Sequence, residues 1–173
     1  MRGTGDDDGF TDFVLEHRAA LLRTACLLTA DRGLGEDLVQ LALLRSYSRW
    51  DRVRAADDPL AYVHRVMVNA HLSWRRRLSS TERPVDTVPD AGGGDPQTGH
   101  AVTEDVRRAL RRLSPRVRTA LVLRYFADHS EVETARLMGC SVSTVGNHVR
   151  KGLAVLRTVL AAGEETAPPR RTR

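Results

Sequence analysis

Hydrophobic residues recur every three or four positions in the first part of the chain. This helical period begins at Phe10 and continues to about Leu28, and a second helix is predicted from Leu34 to Trp50. A third helix is predicted after Asp58, because the proline that follows is well tolerated in a first helical turn. The apolar positions of this third helix are Leu60, Val63, Met67, Ala70 and Trp74. Helices of this kind bury their apolar faces against one another, so the pattern predicts a compact bundle.

Residues 79–100 show no hydrophobic period. They contain three prolines, four glycines and four acidic residues, a composition typical of a flexible or extended linker. Both ends of the chain also lack the period, so we expect them to be disordered. The predicted division is a disordered start at residues 1–9, a first unit at 10–79, a linker at 80–102, a second unit at 103–160 and a disordered tail at 161–173.

Helix-start signals divide the second unit into four predicted helices. Thr103 can cap the first helix, and Ser114 followed by proline marks the start of the second. Ser130 and Glu133 have the spacing of a capping box at the start of the third. The last helix is predicted from Ser143 to about Leu160. Aromatic residues, which strands favour, make up only 5% of the chain, so we predict an all-α protein with two helical units.

The last two helices have the spacing of a helix-turn-helix. Ala135 is small enough for two helices to approach, Gly139 suits a turn that needs a positive φ, and Val145 would fill the space between the helices. An ordinary helical hairpin is the alternative. In a helix-turn-helix the last helix enters the DNA groove. The residues expected to contact DNA are Ser143, Thr144, Gly146, Asn147, His148, Arg150 and Lys151.

Positive charge is concentrated in the second unit. The net charge of the chain is +5, and residues 101–160 carry 11 basic and 5 acidic side chains. All basic residues except Lys151 are arginine, which suits phosphate and guanine, although the base composition of the coding genome could produce the same preference. Two interpretations, phosphate contact and solvated surface charge, stay open for six arginines before the helix-turn-helix. These are Arg107, Arg108, Arg111, Arg112, Arg116 and Arg118.

Several classes of protein are disfavoured by the sequence. No run approaches the ~18 apolar residues of a membrane span, and the acidic N-terminus lacks the apolar core of a signal peptide, so we expect a cytoplasmic protein that contacts no membrane. Cys26 and Cys140 do not form a CxxC pair. The six histidines do not group with carboxylates at metal-ligand spacing. We therefore expect no catalytic site, no metal and no cofactor, and a nuclease or other enzyme is a disfavoured alternative.

Both units resemble parts of a known family. The segments GEDLVQLALLRSYSRWDRV (35–53) and AYVHRVMVNAHLSWRRR (61–77) are similar to region 2 of extracytoplasmic-function sigma factors, the small sigma-70-type subunits of bacterial RNA polymerase. Residues 113–157 are similar to region 4 of the same family. The likeness covers nearly the whole chain in the family's order and is closest to its short two-domain form. It implies a subunit that recognises the −35 and −10 promoter elements and helps to melt the −10 DNA.

The resemblance also implies roles for residues of the first unit. The surface that docks the coiled-coil clamp of the largest polymerase subunit would be formed by Glu36, Asp37, Leu38 and Gln40. Contact with the −10 DNA would be made by Arg52, Arg54, Arg65, Asn69, Arg75, Arg76 and Arg77. Residues 51–58 would form a loop that walls a pocket for extruded bases, whereas Trp74 is expected to pack in the core. An anti-sigma factor is a conceivable further partner.

The sequence departs from the family pattern at four positions. Gly35 replaces a usual alanine, and Leu41 stands where an acidic residue is common. In the last helix, Gly146 and His148 occupy positions that are usually basic, so we expect a −35 sequence that differs from the common one.

Two further alternatives use the same motifs differently. The segments TVGNHV (144–149) and GLAVL (152–156) also resemble the recognition helix of LuxR-type transcription regulators, in which histidine at this position is usual. Such regulators bind DNA without serving as polymerase subunits, and they have no block like residues 35–77. A decoy protein that keeps only one of the binding surfaces is the other alternative.

Overall fold

A computed structural model describes residues 4–80 and 104–164 of the protein. Side chains are described for residues 9–74, 105–159 and 161. Nearly all of the predicted linker, the predicted cap Thr103 and residues 165–173 lie outside this part of the chain. Within it, every regular element is a helix, as the sequence predicts.

The first unit contains four helices. They are α1 (Thr4–Thr29), α2 (Arg32–Tyr47), α3 (Trp50–Arg54) and α4 (Pro59–Ser80). Asp31 caps α2 because its Oδ1 accepts a hydrogen bond from the backbone N–H of Leu34 at 2.8 Å. Asp58 does the same for α4, accepting from the N–H of Ala61 at 2.9 Å. A short polar side chain therefore sets the start of both long helices that follow a turn.

The observed helix boundaries correct three predictions. α1 begins at Thr4, so residues 4–9 are helical rather than disordered. The predicted helix from Leu34 to Trp50 ends at Tyr47, and Trp50–Arg54 forms a separate helix. Only residues 55–58 therefore remain as the loop predicted at 51–58. The last helix reaches Glu164 rather than Leu160.

The core of the first unit uses most of the predicted stripe on α4. Val63 and Met67 are fully buried, together with Leu21 and Leu28 from α1. Trp74, which was expected in this core, is 38% exposed.

The second unit contains the helix-turn-helix. Its helices are α5 (Glu104–Arg111), α6 (Pro115–Tyr125), α7 (Glu131–Met138) and α8 (Val142–Glu164). Ser130 and Glu133 form the predicted capping box at the start of α7, and Gly139 ends α7 with φ at 63°. Ala135 and Val145 are buried where α7 and α8 meet. The predicted helix-turn-helix is thus confirmed in its cap, its turn and its core residues.

The two units pack against each other. α6 contacts α1, and both α6 and α7 contact α4, so the buried residues of both units form one continuous hydrophobic core. Arg118, which could have been a surface charge, is only 3% exposed at this interface. Its guanidinium donates hydrogen bonds to the carbonyl oxygens of Leu28 at 3.3 Å and Thr29 at 3.0 Å. The end of α1 is thereby capped by a cation from the second unit.

Candidate nucleic-acid and polymerase interfaces

The recognition helix α8 is anchored by its apolar side. Val145 and Val149 are buried, one turn apart, against the second unit. At the start of α8, the Ser141 hydroxyl accepts a hydrogen bond from the N–H of Thr144 at 3.1 Å and lies 2.9 Å from the Ser143 hydroxyl. The first turn therefore presents hydroxyl groups and the positive end of the helix dipole together, which is a favourable arrangement for a phosphate.

The opposite side of α8 faces outward and carries the predicted DNA contacts. Ser143, Asn147, Arg150 and Lys151 are exposed, and Thr144, Gly146 and His148 are half-buried. Nη2 of Arg150 donates a hydrogen bond to Oδ1 of Asn147 at 2.6 Å. The structure therefore brings all seven predicted residues into the first three turns of one helix.

His148 differs from its neighbours in charge. Burial lowers the pKa of its imidazole, and the nearby cations of Arg116 and Lys151 lower it further. These effects favour the neutral imidazole, which can both donate and accept hydrogen bonds. His148 is therefore disfavoured as the cation that the family usually has at its position.

The predicted −10 residues lie on two elements of the first unit. Arg65 and Asn69 are exposed one turn apart on α4. Arg52 and Arg54 are exposed on α3, and Nη2 of Arg54 lies 2.8 Å from Oδ1 of Asp51. Arg75, Arg76 and Arg77 continue α4, but their side chains lie outside the described residues.

The predicted polymerase surface on α2 needs one correction. Asp37 and Gln40 are exposed, and Glu36 is half-buried beside Arg32, whose Nε donates to Oε1 of Glu36 at 3.0 Å. Leu38 is only 7% exposed and packs in the core. Leu38 therefore has no side-chain surface to offer to another protein.

Sequence reasoning missed an apolar stripe on the exposed face of α2. Leu41 is 38% exposed and Leu44 is 66% exposed, and Leu34 extends the same face toward the start of the helix. These leucines recur at three- and seven-residue steps and alternate with Asp37 and Gln40. A helical wheel of α2 could have shown them, because Leu38 lies on the side of the buried Ala42 and Leu41 lies on the other side.

Gly35 explains how closely α1 and α2 approach. A Cβ atom at this position would lie 2.7 Å from Sγ and 2.9 Å from both Cα and the backbone N of Cys26. The alanine that is usual in the family would therefore push the two helices apart. Burial raises the pKa of the Cys26 thiol, which acts here as a small apolar side chain.

The described part of the chain contains neither a metal-ligand cluster nor a membrane-spanning helix. No group of three or more histidine, cysteine, aspartate or glutamate side chains in residues 9–74 and 105–159 is placed to hold a metal ion. No described helix is both long and apolar enough to cross a membrane.

Comparison with known proteins decides the family. Residues 13–81 match Sigma-70 region 2, and residues 103–156 match Sigma-70, region 4. The RNA polymerase sigma-E factor of Streptomyces avermitilis is 38% identical over 153 residues, which cover 87% of this chain and 84% of that protein. The ECF RNA polymerase sigma factor EcfG of Rhodopseudomonas palustris is 27% identical over 88% of this chain and 86% of its own. The chain belongs to the extracytoplasmic-function subfamily of sigma-70-type RNA polymerase sigma factors.

Solved structures agree with the fold of this sigma factor. The sigma factor RpoE from Bartonella quintana, solved in complex with the anti-sigma factor NepR, is similar with a TM-score of 0.67 and 22% identity. The alignment covers 88% of this chain and 97% of that one. CnrH, solved with the cytosolic domain of CnrY, has a TM-score of 0.59 and 20% identity over 90% of both chains.

The presence of both regions in one chain argues against the main alternative, a LuxR-type regulator. A LuxR-type regulator would account for the recognition helix but not for region 2. The protein is therefore a sigma factor that directs promoter-specific transcription initiation rather than a free-standing regulator.

Proposed function

We propose that three exposed faces divide the work of promoter recognition in this sigma factor. The outward face of α8 binds the −35 element, the face of α4 around Arg65 and Asn69 binds the −10 element, and the exposed face of α2 binds core polymerase. The observation that carries this proposal is that each face is presented by a helix whose other side is anchored in the core. Each helix is therefore a rigid support for its contacts.

The α8 contacts combine positioning with base recognition. Lys151 and the N-terminal amides of α8 suit phosphate, whereas Asn147 and Arg150 have the donors and acceptors that read base edges in the major groove. At the −10 element, Asn69 is an uncharged donor and acceptor on an exposed turn, and Arg65 supplies a cation beside it. This pair suits an unpaired base next to its backbone phosphate.

The polymerase contact is proposed on the α2 face formed by Leu34, Asp37, Gln40, Leu41 and Leu44. Exposed apolar side chains that alternate with polar ones are typical of a helix that packs on another helix in a partner. Glu36 lies at the edge of this face. Leu41 therefore strengthens an apolar contact at the position where relatives commonly have an acidic residue.

Run-off transcription with core polymerase tests the whole assignment. The wild-type chain should direct initiation from a subset of a genomic promoter library, and Asn69→Ala should reduce open-complex formation while leaving binding to core polymerase intact. Leu44→Glu combined with Leu41→Glu should abolish co-purification with core polymerase. Leu15→Glu is the matched control, since Leu15 is an exposed leucine on α1 outside the proposed face. Equal co-purification of the α2 and α1 variants would show that the docking surface lies elsewhere.

We further propose that the protein acts in the cytoplasm as a non-catalytic subunit, because the polymerase itself performs the chemistry of initiation. Two of the similar structures are complexes with an anti-sigma factor or with a cytosolic partner domain, which supports an anti-sigma factor as a further partner. Affinity purification of the tagged chain from its own cells, with and without core polymerase, tests for that partner.

A further inference from the structure

Two histidines from different units meet at the interface between regions 2 and 4. His64 on α4 is 6% exposed, and His129 lies in the turn between α6 and α7. Nδ1 of His64 and Nε2 of His129 are 3.2 Å apart, and the rings meet edge to face with centroids 5.3 Å apart. One of these nitrogens must donate and the other must accept, so the hydrogen bond is lost when both imidazoles are protonated, because neither ring nitrogen can then accept.

The buried side of α4 is wide enough to serve two contacts. Val63 and Met67 lie toward one edge of it, His64 and Val68 lie toward the other, about 100° further around the helix, and His71 lies between the two pairs. α6 and α7 of region 4 contact α4, and the His64–His129 contact shows which side they cover. Region 2 thus has a second apolar surface whose occupant is region 4 of the same chain.

Arginines secure the same interface beside the histidines. Arg118 donates through Nη1 to the end of α1, and through Nη2 to the carbonyl oxygens of Arg111 at 3.3 Å and Leu113 at 3.1 Å. Nε of Arg111 donates to the carbonyl oxygen of Ala30 at 3.0 Å. Guanidinium groups stay protonated at every pH that the protein tolerates. The arginine contacts are therefore independent of pH, and the histidines are the part of the interface that can titrate.

The groups around His64 disfavour its protonation. The pKa of His64 is lowered to about 4, chiefly by burial; the neighbouring His129 and His17 contribute to this lowering, whereas Asp58 opposes it. Nε2 of His64 is buried and has no hydrogen-bond partner among the described residues. A proton added there would place charge where no acceptor compensates it.

The surroundings of His129 hold its backbone in place. The Arg124 guanidinium donates to the His129 carbonyl oxygen. The Glu133 carboxylate accepts a hydrogen bond from the backbone N–H of Ser130 and lies close enough to His129 for an electrostatic interaction between them. Arg124 holds the backbone of this turn, so region 4 presents the His129 ring to His64 from a fixed backbone position. Protonation of both rings would set two like charges in contact and separate the units.

We propose that protonation at the His64–His129 contact releases region 4 from its docked position on region 2. With both imidazoles neutral the sigma factor is closed, and protonation at this contact opens it.

The direction follows from proton linkage. In the open form His64 returns toward its ordinary pKa of about 6.5, so the open form binds more protons than the closed form between about pH 6.5 and pH 4. Closure is fully favoured above pH 6.5 and weakens as the pH falls. The closed-to-open ratio should drop by about tenfold at pH 5.5 and about 30-fold at pH 5.

Separation of region 4 from region 2 is needed for promoter binding, and this step rests on the proposed function. The −35 and −10 elements lie about 25 base pairs apart, or roughly 85 Å along B-DNA at about 3.4 Å per pair. A closed body of this size has a radius of gyration of about 15 Å and spans roughly 40 Å. The closed form is therefore too short to hold both elements at once, and region 4 must leave region 2.

Small-angle X-ray scattering on the full chain tests the release without DNA or polymerase, so its outcome is independent of the proposed function. From pH 7.5 to pH 5 the radius of gyration should increase, while the helical circular dichroism signal stays constant. The double variant His64→Asn, His129→Gln keeps neutral hydrogen-bonding groups in place and should show no such increase. His148→Gln, a histidine outside the interface, is the control and should expand like the wild type.

Three results would overturn the proposal. The first is an unchanged radius of gyration in the wild type down to pH 5. The second is expansion accompanied by loss of helix, since this would be acid unfolding. The third is an expansion profile of the single variant His129→Gln that equals that of the wild type. This variant keeps the buried His64 and should instead expand over a broader, shallower pH range. An equal profile would remove His129 from the mechanism, even if the double variant fails to fold.

Discussion

Two glycines of α8 have opposite surroundings. A Cβ atom at Gly146 would have no heavy atom within 4 Å outside its own helix backbone and chain neighbours. At Gly152 a Cβ atom would collide with the Leu121 side chain and lie 3.0 Å from Cγ1 of Val117. Gly152 is therefore required for α8 to approach α6, whereas Gly146 has no packing role. What Gly146 changes is the DNA-facing surface, where it leaves a gap between the hydroxyls of the first turn and Asn147.

Gly146→Ala should stabilise the protein by about 1 kcal/mol, because alanine is the better helix former and nothing obstructs its methyl group. Gly152→Ala should destabilise it by about 1–3 kcal/mol through overpacking against Leu121. Chemical denaturation of the two variants measures both effects. A loss of stability in Gly146→Ala would mean that the position is less open than the structure shows.

Gly146→Arg should tighten binding to −35 DNA and change the preferred sequence, since it restores a cation where relatives have one. If the new arginine contacts a phosphate, the slope of log K against log salt should steepen by about 0.9. If it contacts a base, binding-site selection should show a new preference at one position. Unchanged affinity and unchanged preference together would place the helix differently in the groove.

The Asn147–Arg150 pair should favour guanine. Because Oδ1 of Asn147 already accepts from Arg150 through one lone pair, the pair presents mostly donors, and guanine offers two acceptors in the major groove. Arg150→Ala frees Oδ1, so Asn147 can then make its two-bond contact with adenine. Binding-site selection should show a shift from guanine to adenine at one position, worth about 1–3 kcal/mol of discrimination. Arg157→Ala, an exposed arginine two turns further along α8, should leave that position unchanged.

At the scale of helices, the contact between α1 and α2 leaves no room for one added carbon atom at Gly35. Gly35 lets the α2 backbone lie against the backbone of Cys26, and this sets the position from which α2 presents Asp37 and Leu41. Asp31 caps α2 at the same end. The polymerase surface therefore depends on a buried contact that lies behind it.

Gly35→Ala should lower the free energy of unfolding by about 1–3 kcal/mol, because two backbone atoms of Cys26 stand in the way of its methyl group. Gly33→Ala is a suitable control. Its Cβ atom would lie 3.5 Å from Oδ1 of Asp31, which is an ordinary contact. Urea unfolding should separate the two variants, and equal midpoints would contradict the close approach.

At the scale of the whole molecule, Arg118 joins contacts that are 89 and 90 residues apart in sequence. It closes the ends of α1 and α5 with one guanidinium. Its role is to hold carbonyl groups that would otherwise be buried without donors. Region 4 is thereby tied to region 2 by a residue that lies outside its DNA-facing helix.

Arg118→Met should lower the free energy of unfolding by about 1–3 kcal/mol for each carbonyl that is left buried without a donor. The variant should also have a larger radius of gyration than the wild type at pH 7.5, because the pH-independent part of the interface is lost. Arg112→Met removes an exposed arginine of the same segment and should change stability by less than about 0.5 kcal/mol. Identical scattering curves for Arg118→Met and the wild type would argue against a role for Arg118 in closure.

Local features of this protein were predictable from sequence because they depend on neighbouring residues. The capping box at Ser130, the left-handed turn at Gly139 and the buried Val145 each follow from side chains within one or two turns of helix. The α8 face was predictable for the same reason. The residues that match region 2 and region 4 also identified the family before any contact was known.

Tertiary structure alone decided which faces stay exposed. A helical wheel separates Leu38 from Leu41 on α2, but only the positions of α1 and α4 show which of the two sides is covered. The sequence left Arg118 among six equivalent arginines and gave no reason to pair His64 with His129. These outcomes depend on contacts between residues that are distant in sequence, and hydrophobic periodicity within one helix carries no information about which partner covers it.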